Sequence, residues 1–252
     1  MKNYIKAYLK NRPTFYIFIR PKEIELFRNY LPFKRPVLDF GCGDGFFAKV
    51  AFKDFGKIDV GLDVDKKKLE EAKKEKVYKK LIFYSGDKIP FPNNYFSTVI
   101  SNCVLEHIQN LDESLEEIYR ILKPGGTFLC TAMTDKWEKY LLGNLFFGKT
   151  YSEWMKYKQK HFNLLSLDNW KCKFEMHKFK VVNLTGYLDE KESKLIDLFH
   201  YLSIGSLINY KLFKKWVVFP KMYSMLPINL TSLKFKKVSK FKSASLYFVL
   251  QK

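Results

Sequence analysis

The sequence predicts an α/β fold, a mostly parallel sheet with helices on both faces, extended by an aromatic and basic lid from C-terminal insertions. Three observations predict it. Between residues 37 and 132, short apolar runs alternate with amphipathic segments, as successive strand and helix units of a parallel sheet do. The first run ends in a glycine-rich turn, VLDFGCGDG at 37–45, which brings bare backbone and a helix start up to a ligand. The chain is 252 residues long with 47% hydrophobic content, enough for one sizeable core and at most a modest second lobe.

Taken in order, residues 1–36 read as an N-terminal helical cap. The candidate strands are 37–40, 58–63, 81–84, 98–101 and 127–132, and between them FFAKVAFKDF and VDKKKLEEAKKEK suit helices. LDESLEEIYRILKPGG sets Leu111, Leu115, Ile118 and Leu122 on one helical face, with Asp112 as its N-cap and Pro124-Gly125-Gly126 as its stop. After 132 the rhythm breaks. Residues 133–165 are aromatic and basic, a helix capped by Ser166 and a strand resume over 166–188, and about 190–242 reads as irregular, apolar and basic. ASLYFVLQK then supplies a last strand. The expected organisation is a cap at 1–36, a core at 37–188, a lid at 189–243 and a final core strand at 244–252.

The net charge of +19 is unevenly spread. Residues 1–35 contribute +7 and residues 198–252 contribute +10, leaving +2 for the middle, so the basic ends suit something anionic if the fold brings them together. A lysine-rich solvated surface explains the same numbers. Cys42, Cys103, Cys130 and Cys172 lie too far apart for zinc-type spacing or a small disulfide scaffold, and are expected to be reduced and metal-free. The opening residues lack the cleavage pattern of a signal peptide, and the uncharged stretch 198–210 is short of the ~20 residues a bilayer span needs. The expected location is cytoplasmic, with peripheral contact at the inner face of the membrane.

Four loops fall at matching points of the strand order. Gly41, Gly43 and Gly45 follow G-x-G-x-G with Phe46 where a dinucleotide fingerprint wants glycine, and Asp39 precedes them, which favours a ligand carrying a cationic group over a pyrophosphate. Asp63 closes the second strand, where an acid accepts ribose hydroxyls. Asp87 follows the third, and SNCVLEH at 101–107 follows the fourth at the carboxyl end of the sheet.

In order and spacing, VLDFGCGDG, GLDVD, GDKIPFPNNYFSTVISNCVLEHI and EIYRILKPGGTFL resemble the motifs of class I S-adenosylmethionine-dependent methyltransferases, specifically the small-molecule group called methyltransferase type 11. The resemblance covers about 37–132 and resumes weakly at 166–188. It implies a Rossmann-like seven-stranded sheet whose last strand runs antiparallel, and S-adenosylmethionine as cofactor, with S-adenosylhomocysteine as product and no metal. It further implies that Gly41, Cys42 and Gly43 meet the amino-acid end of the cofactor, with Asp39 facing its ammonium. Asp63 would hold the ribose and Val64 pack on the adenine; Asp87 and Lys88 would border the base edge, and Asn102 or Cys103 lie along the methionine portion. Arg20, in FIRPKE, is equally readable as a bidentate partner of the cofactor carboxylate or as a helix-surface arginine.

If the acceptor is a hydroxyl or an amine, a base must take its proton, and histidine suits neutral pH. His161 and His107 are the candidate bases: His161 is preferred, and His107 is equally placed to brace the following helix. His177 and His200 read as surface or packing residues. The cover contributes Trp137, Tyr140, Phe146, Phe147, Tyr151, Trp154, Tyr157, Tyr201, Tyr210, Trp216 and Tyr223, which suit an apolar acceptor or the core of a large lid. The function expected is methyl transfer to a hydroxyl or amino group of a small or lipid-linked acceptor, such as a glycan or amphiphilic metabolite. The alternatives are an RNA methyltransferase, disfavoured because SNCV lacks the Asn-Pro-Pro-aromatic motif of enzymes that grip a flipped base, and a non-catalytic cofactor-binding subunit. The oligomeric state is not readable from the sequence.

Overall fold

The computed structural model describes residues 2–218 and 238–252. The chain begins with α1 (Lys2–Asn11), a 3-10 turn at Thr14–Phe18 and α2 (Arg20–Arg28). The core follows as β1 (Val37–Phe40), α3 (Phe46–Phe52), β2 (Ile58–Asp63), α4 (Lys66–Glu75), β3 (Tyr78–Phe83), β4 (Phe96–Asn102), α5 (Leu111–Ile121) and β5 (Leu122–Met133). Next come α6 (Asp135–Lys139), α7 (Asn144–Gln159), α8 (Leu167–Met176), β6 (Lys180–Gly186), α9 (Glu190–Leu202), α10 (Ile204–Phe213) and β7 (Ser245–Gln251).

All seven strands join one sheet in the order β3-β2-β1-β4-β5-β7-β6. β7 runs antiparallel to both neighbours and the other pairings are parallel, the Rossmann-like seven-stranded sheet with one antiparallel strand that the resemblance implied. The central strands β1 and β4 are buried along nearly their whole length because helices cover both faces. One face packs α1, α2 and α3 through Ile5, Ile24, Phe27 and Phe52; the other packs α5 and α8 through Leu115, Ile118, Trp170 and Phe174.

Several boundaries differ from the sequence reading. Asp112 does not cap α5. Asn110 holds that position, and Asp112 faces outward to accept hydrogen bonds from Lys173 (2.8 Å) and the His177 ring (2.7 Å). α5 also stops at Ile121, before Pro124, because Leu122 turns extended and pairs with Phe96. Ser166 does cap α8, accepting from the Asn169 N–H. The stretch expected to be irregular after 190 contains α9, opened by a reciprocal capping box between Asp189 and Glu192, and α10. The remainder of the expected lid at 219–237, with Tyr223, lies outside the described residues.

The α2 segment is anchored by charge as well as packing. Lys22, nearly fully buried, donates to the Tyr187 carbonyl (3.1 Å) and pairs with Glu192, tying α2 to α9. Glu23 is completely buried and accepts from four side chains: Arg20 (2.6 Å), Asn102 (3.0 Å), the Cys103 thiol (3.1 Å) and the Tyr187 hydroxyl (2.9 Å). Such a full set of donors offsets the cost of burying the carboxylate in its ionised form. Glu23→Ala strands a mostly buried guanidinium and three further donors, and is expected to destabilise the fold by about 3–5 kcal/mol in urea denaturation.

Candidate functional site

The turn after β1 is left-handed at Gly41 (φ 76°), Gly43 (φ 55°) and Gly45 (φ 75°). Its first N–H groups, Gly41 and Cys42, donate to the Leu62 carbonyl at the end of β2. The Gly43 N–H donates to the Asp63 carboxylate at 2.7 Å, and the other oxygen of that carboxylate accepts from the Asp65 N–H. Asp63 therefore fixes the glycine turn as well as facing the cleft. The two glycines differ in what lies in front of them. A Cβ at Gly41 would meet Val104 at 2.5 Å, whereas a Cβ at Gly43 would meet nothing within 4 Å. Gly43 thus opens onto unfilled space at the carboxyl end of the sheet.

Three adjoining cavities occupy that end. The largest, about 690 Å³, is lined by Gly41, Asp63, Val64, Asp87, Cys103 and His107, with Phe40, Tyr84, Ile108 and Gln109 among its other walls. The second, about 240 Å³, is bounded by Arg20, Asp39, Gly41, Cys42, Gly43, Asn102 and Cys103. The third, about 260 Å³, lies under α6, α7 and α9 and is lined by Phe15, Arg20, Glu106, His107, Trp137, His161 and His200 among others. Cys103 borders all three. Its left-handed backbone (φ 52°) is held by its N–H donating to Thr131 Oγ1 (2.8 Å), which in turn donates to the Asn102 side chain.

The electrostatics differ between the cavities. Burial raises the Asp39 carboxyl to about 7, the Tyr78 hydroxyl bond at 2.6 Å opposing and the Asp63 charge adding to the shift. Burial also raises Asp63, against the backbone bonds that favour its anion. In the third cavity burial lowers the His161 imidazolium to about 3, with the His107 and Lys156 charges adding to it, so His161 is neutral. The His107 and His161 rings lie 4.8 Å apart, and His107 Nδ1 sits 3.2 Å from the Lys160 carbonyl.

The structure brings together twelve of the thirteen residues singled out from the sequence around the three cavities, Val64 at the exposed rim. Lys88 is exposed and borders none of the three, and Arg20 spends one guanidinium nitrogen on Glu23. Asp87 accepts from Ser85 (2.7 Å) at the mouth of the largest cavity. Sequence reasoning passed over Glu23 and Glu106, and read His200, which lines the third cavity, as a surface or packing residue.

Residues 38–130 match the family described as methyltransferase domain. Over this segment the chain is similar to a methyltransferase domain. A demethylmenaquinone methyltransferase of Symbiobacterium thermophilum is 31% identical over 127 residues, covering 46% of this chain and 49% of that protein. The sterol 24-C-methyltransferase ERG6B of Gibberella zeae is 39% identical over 98 residues, 36% of this chain and 26% of that protein. The chain thus spans half or less of these relatives. A Thermotoga maritima S-adenosylmethionine-dependent methyltransferase shares the fold over 93% of this chain and 90% of its own, with a TM-score of 0.61 and 15% identity.

The two turn glycines generate a stability contrast. Gly41→Ala meets both a strained φ and the Val104 side chain, and is expected to lower the thermal midpoint clearly. Gly43→Ala carries only the left-handed strain of about 1–2 kcal/mol and is expected to cost less, as read by parallel thermal melts.

Proposed function

We propose that the chain is a methyltransferase that binds S-adenosylmethionine along the first two cavities and transfers its methyl group to a small or lipid-linked acceptor in the third. The observation that carries this reading is the meeting of all three cavities at Cys103, beside a glycine turn that opens onto unfilled space. The residues present fit the cofactor. Bare backbone at Gly41 and Gly43 receives its amino-acid end, with Cys42 between them and the Asp39 carboxylate facing the ammonium. Asp63 retains lone pairs for the ribose hydroxyls, Val64 offers an apolar surface to the base, and Asp87 borders the base edge. Arg20, Asn102 and Cys103 line the passage from the methionine portion to the acceptor.

Bound S-adenosylmethionine supplies an electrophilic methyl group on a sulfonium sulfur. The protein's task is then to hold the acceptor in line and exclude water. The third cavity is suited to it: Phe15, Trp137, Met133, Met155 and Ile196 give it apolar walls, and His107, His161, His200 and Glu106 give it polar groups. Among the described residues no cluster of His, Cys, Asp and Glu is arranged to hold a metal ion. The quinone, sterol and other small-molecule or lipid-like acceptors of the relatives support an acceptor of that kind here.

Contact with an anionic membrane surface is a further part of the proposal. On α7, Leu145, Phe146, Phe147, Trp154 and Tyr157 are exposed, with Lys149, Lys156 and Lys158 beside them. Aromatic side chains flanked by lysines suit the boundary of an anionic bilayer. No described helix is long and apolar enough to cross one.

Two measurements test the proposal. Calorimetric titration with S-adenosylhomocysteine is expected to show binding that Asp63→Ala and Gly43→Ala each weaken at least tenfold. Because Asp39 is raised to about 7 and its anion pairs with the ligand ammonium, affinity is expected to rise between pH 6 and 8, and Asp39→Asn to flatten that rise at a lower level. Sedimentation with phosphatidylglycerol vesicles is expected to carry the wild type down and leave a Phe146→Glu, Phe147→Glu double variant in the supernatant, with salt weakening the wild-type binding.

A further inference from the structure

The third cavity contains an acid whose carboxylate no other side chain hydrogen-bonds. Glu106 is completely buried, and neither carboxylate oxygen has a hydrogen-bond partner. Its backbone explains why it sits there. The Glu106 carbonyl accepts from the Phe162 N–H (2.8 Å) and the Asn163 N–H (3.1 Å), and Asn163 Nδ2 donates to the Leu105 and Ile108 carbonyls, so the loop after α7 is laced onto the turn that presents Glu106. That lacing also brings His161 into the same cavity, where its Nδ1 is buried without a partner. Three polar atoms therefore lack partners in one chamber, while the neighbouring buried acids are saturated: Glu23 takes four donors, and Asp197 takes the Gly143 N–H and the Tyr151 hydroxyl.

A buried carboxylate without a donor is costly as an anion, and a ligand that brings donors to it offsets that cost. A carboxylate acceptor would be repelled. A hydroxyl offers a single O–H, whereas a primary ammonium offers three N–H groups and a full charge to the two Glu106 oxygens and His161 Nδ1. Phe15, Tyr16 and Trp137 on the same walls provide aromatic surface for an apolar body and for the cation. We propose that this chamber receives a primary amine carried on a flat apolar body, and that Glu106 pairs with its ammonium group and takes its proton.

This deepens the methyltransferase reading and rests on it. The ammonium gives one proton to the Glu106 carboxylate, and the freed nitrogen lone pair forms the bond to the methyl carbon. The carbon–sulfur bond breaks with its electron pair remaining on sulfur, so the sulfonium becomes a neutral thioether and the product is a secondary ammonium. Glu106 then returns its proton to water. Burial raises the Glu106 carboxyl, against the charges of His107 and Arg20, while His161 is driven too low to hold a proton near neutrality, so the acid displaces the histidine expected from the sequence as the proton acceptor.

The probes are phenethylamine and tryptamine, with 2-phenylethanol and tryptophol as matched alcohols, each titrated calorimetrically and by thermal shift into the protein saturated with S-adenosylhomocysteine. Both amines are expected to bind at least tenfold more tightly than their alcohols. Glu106→Gln is expected to abolish that preference while leaving S-adenosylhomocysteine binding unchanged. The proposal is overturned if the alcohols bind as well as the amines, if neither pair binds, or if Glu106→Gln leaves the preference intact. The wild-type comparison of amine with alcohol needs no variant, so poor folding of Glu106→Gln does not protect the proposal. Failure of the wild type to bind S-adenosylhomocysteine would instead overturn the methyltransferase reading and this proposal with it.

Discussion

The site depends on the buried carboxylate of Glu23. It draws Arg20 from α2, Asn102 and Cys103 from the end of β4, and Tyr187 from the end of β6 into one hydrogen-bonded knot at the carboxyl edge of the sheet. Strand pairing alone does not set where the α2 segment crosses that edge. A fully buried acid with four donors does, because any displacement leaves a charge in an apolar medium without its partners. Lys22, one residue earlier, extends the same logic to α9 through Glu192 and the Tyr187 carbonyl.

From this knot the functional geometry follows. Cys103 is pinned on one side by Glu23 and on the other by Thr131, and it stands where the three cavities meet. Asp63 performs a comparable service for the glycine turn, clamping Gly43 while facing the largest cavity. Saturated acids thus build the frame, and the unsaturated Glu106 lines the third cavity. Glu23 belongs to the first kind and Glu106 to the second; both are completely buried, and only their donors distinguish them.

Much of this was legible in the sequence, for physical reasons that also mark the limit. The βα rhythm, the left-handed glycines and Asp63 depend on short stretches of chain, and the strands at 37–40 and 58–63 fall where the apolar runs place them. The antiparallel return of ASLYFVLQK came from the family resemblance. Glu23 looked like an ordinary helix acid because its four donors come from Arg20 and from residues about 80 and 160 positions away. Asp112 read as a cap because Asp suits that role locally, yet Lys173 and His177 of a distant segment claimed it. His161 has the residue type of a base, but only the packed fold shows how strongly burial disfavours its charge. α10 escaped the reading because 198–210 lacks the polar face that marks an amphipathic helix, α10 being apolar nearly all round until Lys211.

The most direct test of the account is a crystal structure of the protein with S-adenosylhomocysteine. The account predicts its amino-acid end against Gly41 and Gly43, its ribose at Asp63, its thioether beside Cys103, and the Glu23 knot intact. Ligand bound elsewhere, or bound only with the contacts of Glu23 to Asn102 and Cys103 broken, would contradict it.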